Sequence, residues 1–180
     1  MKISTLILVC LTCLLANLVP GTARAQDEGT RTPVPHNQVI SANPFLILGE
    51  WWNVEYERKV SAKATVGVIG SRVSFEDGDE TYESLNGFFR YYPQGAALAG
   101  FYLGGRLGVH GYSEEDDGYE DDDGHAYGLG IDIGYTWLLG SNRNFYIGLG
   151  IGATRLFGGD TPDERVILPS IRLINVGIAF

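Results

Sequence analysis

The chain has 180 residues, with 22 acidic and 13 basic side chains and a formal net charge of −9. That length suffices for one domain with a full core, and the acidic balance argues against a nucleic-acid partner, whose phosphates demand a basic surface. Both cysteines, Cys10 and Cys13, fall early in the chain, so nothing downstream of them is a disulfide framework or a thiolate metal site.

Lys2 gives a short positive start, and the run from Ile3 to Val19 is apolar apart from Ser4, Thr5, Thr12 and Asn17. Pro20 and Gly21 break that run. Ala23-Arg24-Ala25 then supplies small residues at the two positions a signal peptidase reads. Residues 1–25 are therefore expected to be a signal peptide cleaved after Ala25. An anchoring helix would need about 20 clean apolar residues, and Val9 and Thr12 stand before the cysteines where a lipobox wants Gly or Ala. With Lys2 and Arg24 gone, 13 basic residues become 11 against 22 acidic ones, a net charge of −11. Residues 26–37, polar and holding Pro33 and Pro35, read as a flexible leader. No later stretch reaches the length of a membrane helix, so a membrane crossing within residues 38–180 has to be made by a closed barrel.

From residue 38 onward alternation of period two dominates. A first strand is expected over about Gln38 to Ile47, with Leu48 to Trp51 as a short outer loop. Short turns fall near Val60 to Ala62, Pro93 to Ala97 and Leu139 to Asn142, and acidic connections near Glu76 to Glu80, Ser113 to Gly124 and Gly158 to Arg165. Between them, Phe101, Leu103, Leu107 and Val109 alternate with Tyr102, Gly104, Arg106, Gly108 and His110. The next strand sets Tyr127, Leu129, Ile131, Ile133, Tyr135 and Trp137 against Gly128, Gly130, Asp132, Gly134 and Thr136. Phe145, Ile147, Leu149, Ile151 and Ala153 then alternate with Tyr146, Gly148, Gly150, Gly152 and Thr154, and the last strand ends Ile174, Val176, Ile178, Phe180. A single-chain bacterial barrel has an even strand count with short periplasmic turns. The predicted fold is all-β, an antiparallel up-and-down transmembrane barrel of about eight strands.

The composition of the two faces points to lipid outside. One face is aliphatic with aromatic residues at the strand ends, as expected at lipid headgroups. The other is glycine-rich with isolated charges, and a barrel this small holds only side chains. By strand parity Glu55, Glu57, Arg90, Arg106 and Asp132 all point inward, and their mixed signs predict a paired polar network that fills the lumen.

Several stretches resemble a family of small bacterial outer-membrane β-barrel proteins of unknown function: Asn43-Pro44, Tyr56-Glu57-Arg58, Arg90-Tyr91-Tyr92-Pro93, Gly100-Phe101-Tyr102-Leu103-Gly104, Gly134-Tyr135 with Trp137, and Gly177-Ile178-Ala179-Phe180. The resemblance spans nearly all of residues 38–180. It implies fold and location and supplies no catalytic residues. Phe180 resembles the terminal aromatic signal by which the outer-membrane assembly machinery recognises its substrates. The architecture is also similar to eight-stranded OmpX/OmpA-like barrels, a group that includes adhesins, anchors and lipid-modifying enzymes, so fold cannot choose among activities.

The acidic loop offers Glu114, Glu115, Asp116, Asp117, Asp121, Asp122 and Asp123 as weak candidate ligands for Ca²⁺ or Mg²⁺, alone or shared with lipopolysaccharide phosphates. Its spacing matches no EF-hand, and a solvated, charge-rich outer loop is the plainer reading. His110 and His125 flank that loop. The nearest serine in sequence, Ser113, is three residues from His110 and so on the opposite face of a strand, which leaves no predicted catalytic pair. No cofactor is expected. The expected function is a non-enzymatic, monomeric outer-membrane protein in contact with outer-membrane lipids and lipopolysaccharide, acting in the envelope through its acidic loops. The alternatives are an outer-membrane enzyme acting on lipid A or phospholipid, and a soluble periplasmic barrel carrying a lipophilic ligand.

Overall fold

The computed structural model describes residues 36–47, 49, 51–75, 80–94, 96–114, 122–158 and 167–180. The expected signal peptide and most of the leader lie outside the described residues. The alternating segments form eight strands: β1 (Gln38–Ala42), β2 (Trp51–Ser61), β3 (Ala64–Phe75), β4 (Glu80–Tyr91), β5 (Gly100–Glu114), β6 (Asp122–Leu139), β7 (Phe145–Phe157) and β8 (Ile167–Ala179). Each pairs antiparallel with the next, and β1 pairs with β8, so the sheet closes into a barrel with no free edge.

The first strand is shorter than expected. It ends at Ala42, and the turn of helix α1 (Pro44–Ile47) takes the place of its second half. The Asn43 side chain accepts from the backbone N–H of Phe45 at 3.0 Å and of Leu46 at 3.2 Å, a helix N-cap, and Pro44 occupies the first helical position, where its missing N–H costs nothing. Trp51, expected in the loop, opens β2.

The connections sort by end. Residues 62–63, 92–99 and 140–144 join strands at one end, and the seam between the chain's first and last strands closes there too. Asn37 and Gln38 donate to the Phe180 carbonyl at 3.0 Å, and His36 bonds the carbonyl of Asn142 at 2.7 Å. Ala42 and Trp51, Phe75 and Glu80, Glu114 and Asp122, and Phe157 and Ile167 are the strand ends at the opposite end.

The two faces are inverted relative to a water-soluble protein. Along β6, Tyr127, Leu129, Ile131, Ile133, Tyr135 and Trp137 stand outward and exposed, Ile131 at 72%, while Ala126, Asp132 and Thr136 stand inward and buried. Exposed aromatic rings mark both margins of the outer band, Trp52, Tyr127 and Phe157 toward the loop end and Tyr91, Trp137 and Phe145 toward the turn end.

The glycines of the inner face are slots for long side chains from neighbouring strands. A Cβ at Gly104 would lie 2.3 Å from Asp132 Oδ1, one at Gly148 2.5 Å from Arg172 Nη1, and one at Gly134 or Gly150 2.5 Å from the Tyr102 hydroxyl. Glycine spacing in the sequence thus records where the lumen's polar groups lie against the wall.

Candidate functional site in the barrel lumen

The lumen is layered. At the turn end Leu98, fully buried, packs with Val39, Tyr146 and Ala179. Leu98 sits at φ 75°, a conformation that is strained for a residue with a side chain. Its burial beneath the barrel holds it there and closes the base.

Above this apolar layer lies the charged one. Arg90, entirely buried, donates from Nη1 to Glu55 Oε1 and to Glu57 Oε2, both at 2.7 Å, and from Nη2 to Glu55 Oε2 at 3.1 Å. Its guanidinium carbon stands 4.0 Å from the Phe88 ring centre and 4.7 Å from that of Tyr102, two cation–π contacts that replace part of its hydration. Glu57 also accepts from Thr65 Oγ1 at 2.5 Å, the Tyr92 hydroxyl at 2.8 Å and the Tyr146 hydroxyl at 3.3 Å. Burial, and after it the Glu57 carboxylate, push the Tyr92 phenol well above its usual range, so it stays a donor. Arg172 donates to Glu55 Oε1 at 2.6 Å and to the Tyr146 hydroxyl at 2.9 Å. Asp132 is 3.6 Å from Arg90 Nε and 3.5 Å from Arg106 Nη2. Three arginines thus face three carboxylates, and the hub is balanced.

The structure therefore brings together Glu55, Glu57, Arg90, Arg106 and Asp132, the five residues that parity turns inward. Sequence reasoning missed Arg172, Tyr92, Tyr102, Tyr146, Thr65 and Leu98. Tyr102 and Tyr146 fall on the glycine face of the alternation and could have been found by it. Arg172 could not. Counting back from Phe180 through Ile178, Val176 and Ile174 turns it outward, but the β7–β8 register slips between Gly148 and Gly150, pairing Gly148 with Asn175 and Gly150 with Arg172. This bulge adds one residue to β8, so both Arg172 and Asn175 face inward.

Beyond the hub a cavity of about 570 Å³ reaches toward the loop end, with Arg106, Arg172 and Tyr102 at its floor and Trp51, Val73 and Leu168 among its walls. His110, at its side, bonds the Tyr82 hydroxyl through Nδ1. The hydroxyl opposite His110 in the ladder is Ser84, which sequence distance did not suggest. Ser84 bonds Ser71 Oγ at 2.9 Å and Asn86 Nδ2 at 3.2 Å. His125 is exposed on the outer side of β6. Of the candidate metal ligands, Glu115, Asp116, Asp117 and Asp121 lie outside the described residues, and only the strand backbone of Glu114, Asp122 and Asp123 is described. Phe180 is half-exposed, its N–H donating to the Gln38 carbonyl at 2.9 Å.

These features define a closed eight-stranded up-and-down barrel with an apolar exterior and a lumen that holds a charged hub at its waist and a cavity toward the loop end. No family model and no curated protein matches the chain. Among solved structures it is similar to the N-terminal β-barrel domain of Pseudomonas aeruginosa OprF, with a TM-score of 0.47 and 11% identity over 81% of this chain and 98% of that one.

Proposed function

We propose that the chain is a non-enzymatic protein of a bacterial outer membrane, spanning the bilayer as a plugged barrel and serving envelope structure or surface interaction through the loops at its outer end. One observation carries this reading: the outward side chains form an exposed aliphatic band edged by aromatic rings, a surface that water disfavours and that a bilayer with its headgroup margins matches. The two shortest connections of the turn end, residues 62–63 and 140–144, support a periplasmic turn end, because single-chain outer-membrane barrels keep their short turns in the periplasm. The charged hub supports a plug, since it fills the barrel's waist with paired groups. It also opposes the alternative of a soluble carrier, whose apolar face would have to line the lumen. The sequence resemblance to small outer-membrane barrels agrees with the same assignment.

The test is fractionation with topology. The protein is expected with outer membranes and with heat-modifiable mobility on a gel, and an epitope inserted at Gly118, between β5 and β6, is expected to bind antibody on intact cells. Recovery in the soluble periplasm would overturn the reading. Labelling only after the outer membrane is broken would reverse the topology.

A further inference from the structure

The outer wall carries two described cations toward the loop end, and they are treated differently. Arg72 on β3 has Glu83 opposite it on β4, at 3.3 Å. Arg155 on β7 stands between Leu129 of β6 and Ile167 of β8 in the ladder. Its guanidinium carbon lies 4.9 Å from the Phe157 ring centre, and among the described residues it has no carboxylate partner. An arginine on the lipid side of a barrel is costly toward mid-membrane and nearly free at the interface. Stacking on Phe157, a ring of the outer margin, draws this one toward headgroup level. A guanidinium held there, with no carboxylate beside it among the described residues, is matched to phosphate, which it binds with paired charge-assisted hydrogen bonds.

Directly beside Arg155 the wall is furrowed. Ala153 is the small residue in a row of large ones, and Leu129, Ile131, Ala153, Arg155 and Ile167 line a groove of about 270 Å³. Its flanks are aliphatic and strongly exposed, Ile131 at 72% and Ile167 at 62%. A cation at headgroup level above an apolar furrow has the shape of a lipid: head at one end, chain along the other.

We propose that the outer face of β6, β7 and β8 is a specific site for a phosphorylated glycolipid of the lipopolysaccharide type, with Arg155 holding a phosphate and one acyl chain lying over Ala153. The proposal rests on the outer-membrane reading, which turns this end of the barrel toward the outer leaflet, where lipopolysaccharide is the phosphorylated lipid.

The full chain, refolded into phosphatidylcholine nanodiscs containing lipid A, lipid A stripped of its phosphates, or phosphatidylglycerol, is released and weighed by native mass spectrometry. Wild type is expected to retain one lipid A. R155Q is expected to lower that retention about tenfold, R155K to keep only part of it because an ammonium cannot make the paired bonds, and A153F, which fills the furrow and leaves the charge, to lower it about as much as R155Q. Equal retention by wild type and R155Q would overturn the proposal. So would retention of phosphate-free lipid A, or of phosphatidylglycerol as strongly as lipid A. Heat-modifiable mobility separates the two levels: a barrel that inserts without discriminating among these lipids refutes this site alone, whereas one that never inserts refutes the membrane reading beneath it.

Discussion

Arg90 illustrates how a charge survives fully buried in the hub, beneath the cavity. Its three hydrogen bonds end on two glutamates and two rings stand 4.0 and 4.7 Å from its guanidinium carbon, so protein supplies much of what water would. Taking away one partner of such a set is far worse than never having built it, because the others stay buried and uncompensated. Arg90→Ala is therefore expected to cost about 3–5 kcal/mol in urea unfolding from lipid bilayers. Arg90→Lys should recover only part of this, since an ammonium cannot fork to both carboxylates. Gly148 makes a complementary point. Arg172 lies over it while pinned by Glu55 and Tyr146, so Gly148→Ala should destabilise by about 1–3 kcal/mol, and far less once Arg172 is already alanine. Strict additivity in that double-mutant cycle would break the argument. Gly70, with open space around its missing Cβ, serves as the control and is expected to change stability by no more than about 0.5 kcal/mol.

Among the elements, β8 and β1 are where sequence and structure part. Strands β5, β6 and β7 were legible because each alternates without interruption, and the inward places of Arg106 and Asp132 followed from parity alone. Parity is a running count, however, and a single extra residue resets it. No residue type announces the bulge in β8, so Arg172 was invisible as a lumen group. In β1 the fault was local. Asn43-Pro44 carries a helix-start signal inside what otherwise reads as one strand, and the capping bonds to Phe45 and Leu46 win over two more rungs of ladder. The bulge yields its own prediction. Deleting Leu173 restores plain alternation and leaves both Arg172 and Asn175 facing inward, whereas deleting Ile151 from unbroken β7 turns half of that strand inside out. The first deletion is expected to leave assembly near wild type and the second to abolish it, scored by the heat-modifiable fraction in membranes.

For the whole molecule, the inversion of faces sets where charge is tolerated. Ile131 lies mid-band and Tyr127 at its outer margin, so Arg at Ile131 should cost about 2–4 kcal/mol and Arg at Tyr127 about 0–1 kcal/mol in bilayer refolding titrations. Equal costs would mean that the band does not sit in a bilayer at this depth. The seam between β1 and β8 has a consequence of another kind. Every other pair of neighbouring strands is joined by its own connection, but Val39 meets Ala179 from 140 positions away, and that joint is held by four register pairs, ending at Ala42 with Val176, and by the backbone bonds of Asn37 and Gln38 with Phe180. Hairpins of the first kind form quickly, because little chain must be gathered to make them, while contacts across long separations come late. Folding should accordingly pass through a curled, open sheet whose two bare edges are β1 and β8, the state in which the protein is most exposed to pairing with another copy of itself. The ends meet at Asn37 and Phe180, so a peptide linker joining them would turn the slowest event of folding into a local one.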